Sequence, residues 1–175
     1  MRDIIIKKFF ILLFICFNFL LLVNASEPGI VKPSNLPEIA EVNELINNKG
    51  TVEGIVFTIY ESDESSLEEI IPRLLYYVAL IRQKHTMPIA VVSHGDEMLS
   101  LTIENKELYP EVHKNVIKLV KNYDVYFHVC GSFARLNDLE HEDFPDYIDV
   151  VPFGPTQISD YLSLDFQRID LEITY

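Results

Sequence analysis

The chain has 175 residues, 14 Lys and Arg against 27 Asp and Glu, a formal charge of −13, 49% hydrophobic residues and two cysteines. That acidity excludes a duplex-binding protein, because phosphates are neutralised by clustered Lys and Arg, and an acidic surface repels the polyanion over about 8 Å in physiological salt. The apolar content excludes an acidic disordered tail, and two cysteines cannot build a disulfide framework.

Residues 1–25 carry Arg2, Lys7 and Lys8, pass through an uncharged apolar run at 9–23 and reach the small residues Val23 and Ala25. That order predicts a secretory signal peptide cut before Ser26, and with it export across the inner membrane to the periplasm. The other reading of this segment is an uncleaved membrane anchor, against which the apolar run falls short of the roughly 20 residues that span a bilayer; no later run is long enough to span, so no membrane association is expected after cleavage. Cleavage removes three basic residues against Asp3, which takes the formal charge from −13 to −15, and it also removes Cys16. Cys130 is then a single thiol in an oxidising compartment, which asks for an explanation.

Residues 26–50, with Pro28, Pro33 and Pro37, read as an extended leader that adds a short helix over 38–48. From 51 to 175 the pattern is regular. Val52, Ile55, Val56, Phe57, Ile59 and Tyr60 predict a strand buried on both faces. Leu67, Ile70, Ile71, Leu74, Leu75, Val78 and Ile81 form one helical stripe, which Pro72 either starts or kinks. A second strand over 88–93 ends at His94-Gly95. A short amphipathic helix and loop are expected over 96–108, then a helix over 110–122 with Pro110 in its first turn. A third strand over 125–129 reaches Cys130-Gly131, and Ser132 is read as the cap of a helix running to 136. An acidic loop at 137–146, a strand at 147–151, a helix from Gly154-Pro155 to 164 and a closing strand at 166–173 complete the chain. Strands separated by helices predict an α/β fold with a mainly parallel sheet of about five strands and helices on both faces.

In such a sheet, ligands and chemistry collect at the carboxyl ends of the strands. Three motifs lie there: His94-Gly95, Cys130-Gly131-Ser132 and Pro152-Phe153-Gly154-Pro155. Gly131 lets the backbone turn so that the following helix aims its free N–H groups at the sulfur, which favours a thiolate. The helix dipole alone contributes about 0.3 to 1 kcal/mol, less than one pKa unit, and Arg135 in the first turn can add to it. The other reading of Cys130, a small buried hydrophobe at the end of an apolar strand, stands beside the first. His128, two residues earlier, shares the sheet face of Cys130 and reads either as a base or hydrogen-bond partner or as a structural histidine. His94, beside the flexible Gly95, carries a functional and a structural reading of equal weight. No metal site or cofactor is expected: no histidine pair has the helical spacing of a zinc face, Cys130 has no CxxC partner, and 138–143 lacks the ordered acidic spacing of a calcium loop.

Val91-Val92-Ser93-His94-Gly95, then Tyr126-Phe127-His128-Val129-Cys130-Gly131-Ser132, then Val150-Val151-Pro152-Phe153-Gly154 together resemble the DsrE/DsrF-like family over residues 52–173. The resemblance implies a three-layer α/β sandwich related to flavodoxin-like folds, homotrimers or homohexamers and no tightly held cofactor. It also implies a cysteine at the position of Cys130 that carries sulfur as a persulfide.

Two functions from different classes follow. One is an exported sulfur carrier or transferase in which Cys130 takes up sulfane sulfur, the N–H groups of Gly131 and Ser132 stabilise the anion, and a thiol-containing protein is the acceptor. The other is a non-catalytic oligomeric module that binds a small ligand or partner through His94, Gly95 and Gly154, with Cys130 as packing. A partner with a basic surface suits the acidic shell in either case.

Overall fold

Short runs that are apolar on both faces are driven to the middle of a layered structure, and the sheet forms from them. The computed structural model describes Leu36 and residues 38–47 and 52–173. Its elements are α1 (Glu38–Asn47), β1 (Gly54–Ile59), α2 (Leu67–Arg82), β2 (Ile89–Ser93), α3 (Pro110–Tyr123), β3 (Val125–Cys130), α4 (Gly131–Leu136), β4 (Asp149–Val151), α5 (Gly154–Ser163) and β5 (Phe166–Leu171). The expected signal peptide and the leader up to residue 35 lie outside the described residues.

The five strands form one parallel sheet in the order β4-β3-β2-β1-β5. Every residue of β1 and β2 is buried, as central strands covered on both faces require. The chain steps outward from β1 to β2 to β3 with α2 and α3 on one face. It returns from β4 at the far edge to β5 beside β1. Crossovers of one hand that travel in opposite directions lie on opposite faces, so α5 covers the other side.

The two cores differ in size. On the α1–α3 side, Phe57, Ile55, Ile59, Val91 and Phe127 of the sheet pack against Val42, Leu74, Val78, Ile81 and Val116. Beneath α5 the buried cluster is Val56, Ala90, Val92 and Ile158, flanked by Tyr161 and Phe166. The result is an α/β three-layer sandwich, as the alternation of strand and helix predicts.

Local chemistry explains where elements depart from expectation. Pro72 neither starts nor ends α2. The helix begins at Leu67 after a 3-10 turn at Glu64–Ser66, which Asp63 caps by accepting the Ser65 N–H at 2.8 Å. The carbonyl that Pro72 cannot satisfy belongs to Glu68, which is exposed, so its loss of a helical partner is not buried. The helix expected within 96–108 is two 3-10 turns, Asp96–Leu101 and Glu104–Glu107. There Ser100 donates to the Glu97 carbonyl at 2.7 Å, and Thr102 and Asn105 both donate to that of Leu99, so side chains compete for helical acceptors. β4 is shorter than expected because the Ile148 N–H closes a turn on the Pro145 carbonyl at 2.8 Å, which keeps the preceding residues out of the ladder.

Candidate active site at the carboxyl ends of the strands

β3 runs into α4, whose Ala134 joins the larger core, whereas β4 runs into α5 on the opposite face. Between the carboxyl ends of β3 and β4, therefore, the outgoing connections diverge, which is the crevice where open α/β sheets place ligands. Cys130 is the last residue of β3 and Gly154 the first of α5, and they meet across this divide. The Gly154 N–H donates to Sγ of Cys130 at 3.2 Å. The Ser132 hydroxyl lies 3.1 Å from the same sulfur.

Burial pushes the Cys130 thiol up. The Ser132 hydroxyl and the backbone N–H groups of Gly154, Phe133 and Ser132 together outweigh that effect and hold the thiol below its ordinary value of 9.0. The donors differ from those expected. Cys130 itself is the N-cap of α4, so Ser132 sits inside the helix with its hydroxyl on the sulfur. The Phe133 and Gly154 N–H groups stand where that of Gly131 was expected to contribute. Gly131 and Arg135 line a cleft of about 230 Å³ with Val151, Pro152 and His141. Arg135 folds back toward the start of its own helix, with Nη1 3.4 Å from where a Cβ on Gly131 would stand, and among the described contacts it makes no hydrogen bond to Sγ.

The His94-Gly95 motif reaches the same place from β2. A Cβ on Gly154 would lie 3.0 Å from Cβ of His94 and 3.2 Å from Cβ of Cys130, so all three motifs converge and a glycine gives α5 a close approach that a side chain would crowd. The His94 ring stacks on Tyr60 with centroids 4.9 Å apart. Burial, and then the charge of Arg168, hold its imidazole below the ordinary histidine value, which favours the neutral form.

Behind this loop lies a group that sequence reasoning missed. Glu97 is fully buried, and its carboxylate accepts from the Ser93 hydroxyl at 2.8 Å, from the His94 and Gly95 N–H groups at 3.0 Å each, and from the Glu61 N–H at 2.8 Å. One side chain thus ties the end of β1 to the end of β2. A Cβ on Gly95 would come within 2.4 Å of both the Glu61 carbonyl and the Glu97 carboxylate, so the glycine is what admits the clamp. The signal in the sequence was the adjacency of Ser93, Gly95 and Glu97 at a strand end, where a carboxylate meets loop N–H groups.

His128 is directed elsewhere. Its Nδ1 lies 3.0 Å from the Asp149 carboxylate and its Nε2 2.7 Å from the Tyr161 hydroxyl, so both ring nitrogens are engaged beneath α5 rather than on Sγ. The register that sets His128 opposite Asp149 makes the first of these contacts. Among the described residues no group of three or more His, Cys, Asp or Glu side chains is arranged to hold a metal ion, and no helix is long and apolar enough to cross a membrane.

The fold and the site define a class: an open-sheet α/β protein with a hydrogen-bonded thiol at its topological switch point. No protein-family model matches the chain, and no curated protein matches it. Among solved structures it is similar to MTH1491, a protein of unknown function from Methanobacterium thermoautotrophicum, with a TM-score of 0.55 and 23% identity over 67% of this chain and 97% of that one. A likeness at that identity shows a shared fold.

Proposed function

We propose that the chain is an exported DsrE-like sulfur carrier in which Cys130 takes up sulfane sulfur as a persulfide. The observation that carries this reading is the convergence of four donors from α4 and α5 on one sulfur, which lowers its pKa. A thiolate is the nucleophile in such chemistry. The Cys130 thiolate attacks the outer sulfur of a low-molecular-weight persulfide. A Cys130–S–S⁻ bond forms, the donor's S–S bond breaks, and the donor leaves as its thiolate, so no external oxidant is consumed. The outer sulfur then carries the charge until an acceptor thiolate takes it. Cys130 is only 3% exposed, so uptake of sulfur requires the site to open locally. Homo-oligomeric assembly belongs to the same proposal and is read by sedimentation.

Burial favours a second reading, in which Cys130 is packing and the convergent loops bind a partner. Incubation with a persulfide donor separates the two. The carrier gains one sulfur atom that reductant removes and Cys130→Ser does not acquire, whereas the packing thiol gains nothing.

A further inference from the structure

Val56 of β1 is buried in the cluster beneath α5. Thr58, two residues on and therefore on the same face, lines a cleft of about 200 Å³ together with Tyr60, His94, Arg168, Asp170 and Glu172. Strand register brings the charges there, because β5 pairs Arg168 with Val56 and Asp170 with Thr58. The cleft is braced from inside the protein. The Thr58 hydroxyl is buried and donates to the Asp170 carboxylate, which also accepts from Nε of Arg168 at 2.6 Å. Among the described residues neither terminal nitrogen of that guanidinium has a hydrogen-bond partner, so a positioned fork is left to receive a carboxylate. Facing it, the exposed Tyr60 ring is held by stacking on His94, with centroids 4.9 Å and planes 25° apart. Burial and the charge of Arg168 favour the neutral imidazole, so the cleft sets one cation against the two carboxylates of Asp170 and Glu172. A simple anion meets those carboxylates, and a simple cation meets Arg168; a ligand that carries both charges suits the whole set. The volume of about 200 Å³ lies below the roughly 300 to 1,000 Å³ of drug-sized sites, so that ligand has few heavy atoms.

We propose that this cleft binds a free α-amino acid with a short apolar or thioether side chain, its carboxylate on the Arg168 fork, its ammonium on Asp170 and Glu172, and its side chain against the Tyr60 and His94 rings. Aromatic rings accept aliphatic groups and make favourable contacts with thioether sulfur, while the two charges fix which way round the molecule lies. His94 is the wall that the cleft shares with the thiol site, since its Cβ and that of Cys130 both adjoin the start of α5 at Gly154. The cleft uses neither Cys130 nor its donors, so it stands or falls independently of the sulfur chemistry.

The test titrates the full chain with S-methyl-L-cysteine, whose thioether cannot exchange with Cys130, and follows amide chemical shifts. The expected result is saturable binding that shifts the amides of Thr58, Tyr60, His94, Arg168 and Asp170. Methylthiopropionate, which lacks the ammonium, and methylthioethylamine, which lacks the carboxylate, should each bind about tenfold more weakly or worse, as the loss of a hydrogen-bonded charge requires. Arg168→Gln should weaken the amino acid by a similar factor, and it leaves the bond between Thr58 and Asp170 in place. Both charged side chains of β5 are half-exposed, so the variant is expected to melt with the wild type. No saturable shifts, shifts confined to another part of the surface, equal binding of either one-charge analogue, or undiminished binding by folded Arg168→Gln would overturn the proposal. No sulfur transfer is read, so failure here leaves the chemistry of Cys130 untouched.

Discussion

At the residue scale, the chemistry of the site rests on how one sulfur is solvated. Ser132 contributes the hydroxyl that is the strongest of the lowering interactions on Cys130. A hydrogen bond to a charged group contributes about 1.5 to 3 kcal/mol, so its loss raises the thiol pKa. Ser132→Ala is expected to slow alkylation of Cys130 at neutral pH about tenfold and to move the pH midpoint of that reaction upward, as iodoacetamide kinetics would read. The same shift affects stability. A thiol whose pKa is depressed by folding adds stability that is fully present above its ordinary value of 9.0 and is lost as pH falls through the lowered folded value. Denaturant unfolding of the wild type and Cys130→Ser between pH 6 and about 10 should therefore show the wild type gaining relative to the variant as pH rises. The sequence made Cys130, Ser132 and Gly154 legible as strand-end residues. Glu97 was hidden because a carboxylate three residues beyond a histidine reads as surface charge until the loops at the ends of β1 and β2 close around it.

At the element scale, two joints decide whether the site holds its shape. α5 approaches β2 and β3 through Gly154, and an added methyl meets His94 and Cys130 at 3.0 and 3.2 Å. Gly154→Ala forces the helix start outward, at a cost of about 1 to 3 kcal/mol. Because the N–H to Sγ contact goes with it, the variant should combine a lower melting temperature with a less reactive thiol. The other joint is Glu97. Glu97→Ala strands the Ser93 hydroxyl and the Glu61 and Gly95 N–H groups, where each unsatisfied buried group costs about 1 to 3 kcal/mol, while the His94 N–H keeps the Ile59 carbonyl at 3.1 Å. Thermal melts should show a loss larger than that of any exposed carboxylate, with Glu111→Ala as the comparison, since its pairing with Lys114 is solvent-exposed. Strands buried on both faces were legible from their apolar runs, as was the stripe of α2. The 96–108 region was not, because a helical pattern of apolar residues carries no information about hydroxyls and amides that take the carbonyls for themselves.

At the scale of the whole molecule, the sheet divides unequal cores. Phe57 is fully buried in the larger one, and Phe57→Ala should cost about 3 to 5 kcal/mol, a large fraction of the stability of an ordinary domain, which a lowered denaturant midpoint would read. The order β4-β3-β2-β1-β5 explains why the three sequence motifs matter together. The strands run parallel, so their carboxyl ends lie along one edge of the sheet, and the return of the chain through α5 lays Gly154 against Cys130 and His94. Alternation of strand and helix foretold the layers. The strand order was not legible, and with it went the partners of His128, which depend on which strand lies beside β3 and on the face that α5 covers.

Under the proposed function, Cys130 is a reactive, sulfur-accepting thiolate in the folded protein. Intact mass of the folded protein before and after a low-molecular-weight persulfide, with and without prior alkylation, tests it most directly. The expected result is a gain of one sulfur atom on Cys130, reversed by reductant and blocked by alkylation. A folded protein whose Cys130 takes up neither sulfur nor iodoacetamide would contradict it.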